Sequence, residues 1–285
     1  MQVHEALKRA SSFLKEKGRE PQAAEILLRH HLHVTRTKLF QMMQDDFQTD
    51  KFARFSADIE AHARGVPVQH LTGEEEFYGR RFEVNGDVLI PRPETEELVA
   101  DVLDKVKSRF PGEESIRVVD IGTGSGAIAA TLALEEPQLL VSAVDISEKA
   151  LAVAERNANR LGANLIFYQG DLLSPLIESG DKADVIVANP PYISNEDVDR
   201  LDSLVKDHEP RLALSGGDDG FDIYRRLIRQ LPQVLNKPGY VAFEVGVGQS
   251  VEVASMLKEV FQGDAEISIK EDINGKDRIV TAEIG

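Results

Sequence analysis

From residue 117 to residue 284 the chain alternates short apolar runs with amphipathic segments, and no other feature limits its possible folds as strongly. Seven runs have the length and composition of strands, and segments with helical spacing separate most of them. Strands that are joined through helices lie parallel in one sheet, with helices on both faces. The predicted strands are residues 117–121, 140–145, 165–169, 184–189, 239–246, 265–270 and 278–284, and the main helices are residues 128–134, 147–161, 222–235 and 249–261.

The last two predicted strands depart from this pattern. Only residues 271–277, which include Asn274-Gly275, separate them, and this connection is too short for a helix. A connection of this length joins antiparallel neighbours. The sequence therefore predicts an α/β fold with a doubly wound, Rossmann-like sheet of seven strands, of which the last pair is antiparallel.

The first 75 residues differ from the rest, because their apolar residues recur at helical spacing throughout. They predict a small N-terminal all-helical domain, residues 1–75. Next, residues 81–84 and 87–90 flank Asn85-Gly86, the two-residue turn that hairpins favour. A β-hairpin linker is therefore expected within residues 76–92, before the sheet-forming domain of residues 93–285.

The charge of the chain is unevenly distributed. The net charge is −16, yet residues 1–75 contain 11 basic and 11 acidic side chains, so the excess acidity lies in the remainder. A strongly acidic chain is poorly suited to bind nucleic acid through its phosphates. No apolar run is long enough to span a membrane, and the first residues lack an export pattern, so we expect a cytoplasmic protein without membrane contact.

The sequence indicates no metal site. Cysteine is absent, which excludes thiolate ligands and disulfides. His30, His31 and His33 are close in sequence, but no acidic residue lies nearby at ligand spacing, and adjacent helical residues point in different directions. These histidines are interpreted as surface or core residues, and no bound metal is expected.

A glycine-rich segment, Asp120 to Gly126, follows the first predicted strand of the sheet. Its glycines let a ligand approach the backbone where a helix N-terminus offers unpaired N–H groups. Asp145 ends the second strand, where a carboxylate can accept both hydroxyls of a ribose. The pattern predicts a nucleoside site but leaves the cofactor open, because it also satisfies the loose dinucleotide fingerprint.

The fourth predicted strand ends in Asn189-Pro190-Pro191-Tyr192. Prolines remove backbone donors and hold the preceding residue extended, so the strand end becomes a rigid set of acceptors. A planar NH₂ group could donate to the Asn189 side-chain oxygen and the Pro190 carbonyl oxygen, with Tyr192 as a flat wall. The motif predicts a site for an amide or amino nitrogen, although two prolines also simply end a strand.

These two segments are expected to share one crevice, because ligands of an open parallel sheet lie where the strand order reverses. Asn189 would then lie beside the ligand of the glycine loop. A hydride-transfer enzyme needs a proton donor or acceptor, which this strand end does not carry. A methyl transfer needs only a positioned nucleophile, so we favour it. A non-catalytic domain that binds a nucleotide and a partner is an alternative.

Several motifs together resemble one enzyme family. Besides the glycine loop, Asp145 and the Asn189 motif, they are Phe77-Tyr78-Gly79, residues 90–96, Gly170-Asp171-Leu172, residues 209–214 and residues 216–220. They resemble the S-adenosylmethionine-dependent protein-(glutamine-N5) methyltransferases of bacterial peptide chain release factors, the HemK/PrmC family. The resemblance is strongest from Phe77 onward, and a short helical N-terminal domain is expected of that family.

The resemblance implies a reaction and a set of site residues. The methyl group of S-adenosylmethionine would pass to N5 of the glutamine in the Gly-Gly-Gln motif of a release factor, which leaves S-adenosylhomocysteine. The catalytic residues would be Asn189, Pro190 and Tyr192, and the same residues with Pro191 would bind the substrate. The implied cofactor residues are Gly122, Thr123, Gly124, Ser125, Gly126, Asp145, Leu172 and Asn189. Leu172 is smaller than the side chain usual at its position, and Arg92, Glu94, Glu209 and Arg211 have either site or loop roles.

We further expect the charge-balanced helical domain to dock the release factor body, and the enzyme to be a monomer. The rival activity is methylation of adenine N6 in DNA or RNA, because an exocyclic amine donates the same two hydrogen bonds when the base is flipped into a pocket. The net charge and the lack of a large basic recognition domain disfavour this activity.

Overall fold

The computed structural model describes the whole chain, residues 1–285. The helices, α1 to α14 in chain order, are Val3–Glu16, Ala23–Leu32, Arg36–Gln41, Thr49–Ala63, Val68–Thr72, Pro93–Arg109, Ala127–Glu135, Glu148–Leu161, Ser174–Ser179, Asn195–Val198, Ser203–Lys206, Arg211–Leu214, Asp222–Val234 and Ser250–Phe261. The strands, β1 to β9, are Glu74–Phe77, Arg80–Glu83, Ile116–Ile121, Leu139–Asp145, Leu165–Gln169, Ala183–Ala188, Leu235–Glu244, Ala265–Glu271 and Asp277–Ile284. None of the helices combines the length and apolar character that crossing a membrane requires.

The chain divides into two compact units. The helical unit consists of Met1–Glu74 together with Asp202–His208, a segment that comes from the second half of the sequence. The sheet unit consists of Glu75–Leu201 and Glu209–Gly285. The helical unit is therefore built from two separate stretches of chain.

In the helical unit, α1, α2 and α4 bury one apolar side each around a common core. Leu14, Leu28 and Phe55 are almost completely buried there. The Arg19 guanidinium donates to the side chains of Asp202 (3.3 Å) and Ser203 (3.2 Å), which ties α11 to this unit. Apolar packing of amphipathic helices, rather than intrinsic propensity, stabilises helices of this length.

The sheet unit contains a seven-stranded sheet in the order β5-β4-β3-β6-β7-β9-β8. β9 pairs antiparallel with both β7 and β8, whereas the other neighbouring strands are parallel. Helices α6 and α7 pack in one apolar layer, and α13 and α14 pack in another. This arrangement confirms the predicted α/β fold, the seven strands and the antiparallel last pair.

The position predicted for the hairpin strands was wrong. The hairpin is formed by β1 and β2, and its turn is Tyr78-Gly79, where both residues have positive φ angles of 52° and 70°. Such a pair of left-handed residues matches the twist of a two-residue hairpin. At Asn85, the side chain instead accepts a hydrogen bond from Asp87 N (2.9 Å), which makes a local turn that no strand follows.

Three apolar residues of the predicted hairpin strands, one from the first strand and two from the second, have a different role. Val84, Val88 and Ile90 are buried in a small cluster with Ala150 and Val153 of α8. In this loop buried side chains alternate with more exposed ones. Such a hydrophobic pattern repeats every two residues, as it also does in a strand. The sequence pattern therefore identified the buried side chains but not the backbone conformation.

Candidate functional site

The site lies where the order of the sheet reverses, because β3 has β4 on one side and β6 on the other. The last residues of β3 and β6, Ile121 and Ala188, are partners in the parallel register. The glycine loop after β3 and the Asn189 motif after β6 therefore begin side by side. This confirms that the two segments meet at one edge of the sheet, where open α/β sheets bind ligands.

In the glycine loop, Gly122, Gly124 and Gly126 have φ angles of +72°, +56° and +80°. These left-handed conformations strain any residue with a Cβ atom. A Cβ on Gly126 would also lie 3.0 Å from the Cβ of Ala154, so this glycine allows α7 to approach α8. Thr123 and Ser125, by contrast, are buried.

Two buried carboxyl groups support this loop. Asp120 Oδ2 accepts from Thr123 Oγ1 (2.7 Å) and Ala129 N (3.2 Å), while Asp120 Oδ1 is buried without a partner. Burial raises the pKa of Asp120 to about 7. Asp145 accepts from Gly124 N and Ser147 N, both at 2.9 Å, and its pKa is raised because it is buried. The Ile146 N–H also acts on this carboxylate, which leaves at least one lone pair for a ligand.

A cleft of about 890 Å³, open solvent included, connects these groups. Six predicted site residues belong to its lining: Gly122, Gly124, Asp145, Leu172, Asn189 and Pro191. Apolar side chains, among them Val144 and Ile146, line it together with the acidic Asp87 and Asp171. The predicted residues Thr123, Ser125, Gly126, Pro190 and Tyr192 lie outside this lining.

Asn189 is held by a chain of hydrogen bonds. Its Nδ2 donates to Thr95 Oγ1 (3.1 Å), and Thr95 Oγ1 donates to Glu244 Oε2 (2.7 Å). Thr95 lies in the first turn of α6, and Glu244 is the last residue of β7, the neighbour of β6. Both are buried. No hydrogen bond joins Asn189 Oδ1 or the Pro190 carbonyl oxygen to another group of the protein, so both acceptors remain available.

A second loop packs behind the Asn189 motif. Ile193 N donates to Leu214 O (3.0 Å), and Gly216 N donates to Ile193 O (2.8 Å). A Cβ on Gly216 would lie 2.7 Å from the Pro191 carbonyl oxygen. The glycines of residues 216–220 therefore allow close backbone packing, which explains part of the motif that the sequence singled out.

The Tyr192 ring packs against the apolar layer of α13 and α14. The backbone carbonyl oxygen of Tyr192 accepts from Gln249 Nε2 (2.9 Å), and a Cβ on Gly246 would lie 2.9 Å from the Tyr192 ring. Burial, with the nearby Glu244 carboxyl second, raises the pKa of the Tyr192 phenol, so it stays neutral. Tyr192 is thus fixed at both its backbone and its ring.

Arg92, Glu209 and Arg211, for which the sequence leaves site and loop roles open, all form ion pairs. Arg92 Nη2 contacts both oxygens of the buried Glu209 carboxylate, at 2.8 and 2.7 Å. This pair joins the start of α6 to the segment whose Pro210 and Leu212 line the cleft. Arg211 instead pairs with the exposed Asp199 (2.8 Å). Arg92 and Glu209 therefore fix one wall of the cleft.

Thr95 and Glu244 were not selected from the sequence. Asp145 ends a predicted buried strand on the ligand side of the sheet, whereas Glu244 lies two residues inside the predicted strand 239–246 and ends β7 only in the structure. Thr95 lies within residues 90–96, one of the motifs that carry the family resemblance, but that resemblance implies no role for Thr95. The contact between the two residues spans 149 positions, and no local pattern encodes it.

No group of three or more histidine, aspartate or glutamate side chains in the structure is arranged to hold a metal ion. In the histidine-rich segment, His31 Nε2 instead contacts the Asp58 carboxylate (2.7 Å).

Comparisons with known proteins cover the whole chain. A family model described as PrmC N-terminal domain matches residues 5–73, and one described as methyltransferase small domain matches residues 101–218. Among solved structures, the T. thermophilus 16S rRNA N2 G1207 methyltransferase in complex with AdoMet and guanosine has a TM-score of 0.53. It is 15% identical, with 74% of this chain and 50% of that chain covered, and shows a shared fold.

Two curated relatives are much more similar. The release factor glutamine methyltransferase of Bacillus anthracis is 52% identical over 284 residues, which cover 100% of both chains. The release factor glutamine methyltransferase of Bacillus subtilis (strain 168) is 51% identical, with 99% of this chain and 98% of the relative covered. With this identity over its whole length, the chain belongs to the release factor glutamine methyltransferase family.

Proposed function

We propose that this protein transfers a methyl group from S-adenosylmethionine to the N5 amide nitrogen of the glutamine in the Gly-Gly-Gln motif of bacterial peptide chain release factors. The products are N5-methylglutamine and S-adenosylhomocysteine. The observation that carries the proposal is the unpartnered pair of acceptors, Asn189 Oδ1 and the Pro190 carbonyl oxygen, at the strand end beside the glycine loop. A primary amide has two hydrogens to donate to such a pair.

The cleft fits S-adenosylmethionine chemically. Asp145 can accept ribose hydroxyls, and apolar side chains such as Leu172 and Ile146 suit the adenine ring. Three carboxyl groups, those of Asp87, Asp145 and Asp171, line the cleft with one cation, Arg226, which pairs with Asp171, so the net negative charge suits a cationic ligand better than the pyrophosphate of a dinucleotide. Asp145 also accepts the Gly124 N–H, a donor that a phosphate would need. In this proposal Gly122 to Gly126, Asp145, Leu172 and Asn189 bind the cofactor.

The proposed mechanism depends on how the protein holds the amide. An amide nitrogen is a poor nucleophile because its lone pair is delocalised into the carbonyl. Asn189 Oδ1 and the Pro190 oxygen would accept the two N–H groups outside the ideal plane, which localises the lone pair and directs it along the line of transfer. In this proposal Pro191, from the lining of the cleft, and Tyr192, from outside that lining, also bind the substrate.

Bound S-adenosylmethionine would supply the methyl group, and S-adenosylhomocysteine would be the leaving group. The surplus proton on nitrogen then passes to water. Because an N-alkylated amide cation is very acidic, the reaction needs no strong general base and no metal.

We also propose that the helical unit docks the body of the release factor, that the enzyme acts as a monomer in the cytoplasm, and that it has no nucleic acid substrate. The unit has a balanced charge and exposes Phe40 on its surface. Phe40→Ser should lower kcat/KM for a whole release factor and leave that for a short Gly-Gly-Gln peptide unchanged. Equal losses on both substrates would contradict this docking role.

The activity is tested by incubating the enzyme and S-adenosylmethionine with purified release factor and, in parallel, with duplex DNA. Mass spectrometry should find one added methyl group on the Gly-Gly-Gln glutamine and none on adenine. Methylated adenine with unmodified release factor would establish the rival activity. Calorimetry with S-adenosylmethionine and, separately, with NAD distinguishes the two methyltransferase activities from a dehydrogenase. Binding of S-adenosylmethionine without methyl transfer to either substrate would indicate a non-catalytic domain.

A further inference from the structure

The chain of hydrogen bonds behind Asn189 has a definite direction. Thr95 carries one hydroxyl hydrogen, and an ionised Glu244 can only accept hydrogen bonds. Thr95 therefore donates to Glu244, and its oxygen must accept from Asn189. Only the NH₂ group of Asn189 can serve as that donor. The Asn189 oxygen is consequently the atom that faces away from Thr95.

We propose that Thr95 and Glu244 are positioning residues that set the orientation of the Asn189 amide and so keep its oxygen available to the substrate. This inference rests on the proposed function, because it assigns how the acceptor for the substrate amide is oriented. Neither residue belongs to the lining of the cleft, so both act through Asn189.

The opposite protonation state would reverse the chain. A neutral Glu244 carboxyl carries a hydrogen that it can donate to Thr95 Oγ1, and the Thr95 hydroxyl is then free to donate to Asn189. The Asn189 amide would turn its oxygen to Thr95 and its NH₂ group to the cleft. That group cannot accept the N–H of a substrate amide, so turnover should fall as Glu244 is protonated and the reversed chain becomes populated.

Several charged and titratable groups surround Glu244. Arg278 of β9 and Glu94 of α6 act on it electrostatically, and the phenols of Tyr192 and Tyr224 lie close, with Tyr224 Oη donating to the Glu244 carbonyl oxygen (2.7 Å). Burial dominates and, with the like charge of Glu94, raises the pKa of Glu244 to about 7, against the hydrogen bonds from Thr95 and Asn189 and the charge of Arg278. Glu244 therefore holds the Asn189 NH₂ group both directly and through Thr95. The switch between the two orientations therefore falls in the physiological pH range.

The first experiment removes the Thr95 hydroxyl from the full-length enzyme with Thr95→Val. With a Gly-Gly-Gln peptide at pH 8, kcat should fall about 10-fold, the loss of roughly one hydrogen bond. The dissociation constant for S-adenosylmethionine should change less than about twofold. Thr95→Ser retains the hydroxyl and should restore most of the turnover.

The matched control is Thr131→Val. Thr131 is buried in α7 of the same unit, and its hydroxyl has no hydrogen-bond partner. This variant makes the same chemical change without breaking a hydrogen bond, so its kcat should match the wild type. A comparable loss of kcat in Thr131→Val would show that the effect of Thr95→Val is general core disruption.

The second experiment measures kcat against pH. In the wild type, kcat should rise as Glu244 loses its proton, with an apparent pKa of about 7. Thr95→Val should move this rise to higher pH, because the Thr95 hydroxyl bond lowers the pKa of Glu244. Glu244→Gln has no proton to lose in this range and should remove the part of the rise that belongs to Glu244. Asp120, whose pKa is also raised to about 7, is present in every variant, so the difference between the wild-type and variant profiles reports Glu244. A purely structural role for these residues would leave the profile in place.

The outcomes separate this inference from the function on which it rests. If the wild-type enzyme does not methylate the peptide or a whole release factor, the proposed function fails. If the wild type is active and Thr95→Val has the wild-type kcat and pH profile, the function stands and the positioning role is overturned.

Discussion

The ends of β3 and β6 lie side by side but are built in opposite ways. After β3, glycines with positive φ angles remove side chains and leave the backbone open to a ligand. After β6, two prolines and the packed loop of residues 214–220 fix the chain. The Asn189 side chain also donates a hydrogen bond to Thr95, and Gln249 donates one to the carbonyl oxygen of Tyr192.

The difference follows from the kind of ligand that each end is suited to hold. A nucleoside makes many contacts over a large area, so each contact contributes a modest share of the affinity. A reacting amide is small, and its alignment depends on two acceptors, so an error in one of them affects the rate strongly. Changes after β6 should therefore act mainly on turnover, and changes after β3 on cofactor affinity.

Asn189→Ala should have the largest effect. Loss of one of the two acceptors lowers kcat about 10²-fold, with a much smaller change in S-adenosylmethionine affinity, as for other preorganised polar contacts. Steady-state kinetics and calorimetry measure the two quantities. Asn236→Ala is the control, because this amide donates to Asp184 (2.7 Å) near the start of β6, at the end of the strand away from Asn189. Near-wild-type turnover of Asn189→Ala would count against the acceptor role.

Gly216→Ala tests whether the support behind the prolines matters. Its Cβ would lie 2.7 Å from the carbonyl oxygens of both Pro191 and Gly220, which are backbone atoms that cannot move independently. We expect a destabilisation of about 2 kcal/mol, as for overpacking, and a lower kcat with unchanged cofactor affinity. Urea unfolding and turnover provide the measurements. A loss of affinity with normal kcat would break the distinction between the two strand ends.

Asp145→Asn should weaken S-adenosylmethionine binding about 10-fold, or roughly 1.4 kcal/mol, because a charged acceptor is replaced by a neutral one. Since burial raises the pKa of Asp145, wild-type affinity should fall as pH drops through that pKa and protonates the acceptor. The variant should lack this dependence. Calorimetry over a pH series measures both effects. The control variant Asp184→Asn changes a carboxyl group near the start of β6, away from the cleft, and should bind S-adenosylmethionine like the wild type.

Gly122→Ala should have the smallest effect on the unliganded protein. Its φ angle is +72°, but no atom lies within 4 Å of the added Cβ, so the variant is strained without a collision. The free energy of unfolding should fall by about 1 kcal/mol. Denaturant unfolding measures this value. A destabilisation as large as that of Gly216→Ala would show that the loop after β3 is packed as tightly as the one after β6.

Local sequence patterns were sufficient to predict the sheet and the meeting of the glycine loop with the Asn189 motif. Buried parallel strands are continuous apolar runs, so β5 was predicted with its observed bounds and β3, β4 and β6 within one residue. Chain connectivity then required the ends of β3 and β6 to meet. The glycine loop, Asp145 and Asn189 could be located because each immediately follows or ends a strand.

Other features depend on contacts that a local pattern does not contain. Tyr78 adopts a left-handed conformation that its residue type does not favour, while Asn85-Gly86 has the favoured composition and forms no hairpin. Thr95 reaches Asn189 across 94 positions of sequence. Such a contact becomes visible only when α6 has been placed against the sheet, so the orientation of the acceptor could not be predicted.

The two-stretch composition of the helical unit has a consequence for how the chain acquires its structure on the ribosome. Because Asp202–His208 belongs to that unit, its N-terminal helices emerge long before their last packing partner has been translated. The partner of Arg19 arrives only after most of the parallel strands have been made. The part of this enzyme that is translated first is therefore among the last to be completed. In a nascent chain stalled before Asp202, the helical unit should lack the segment Asp202–His208 and be incompletely packed.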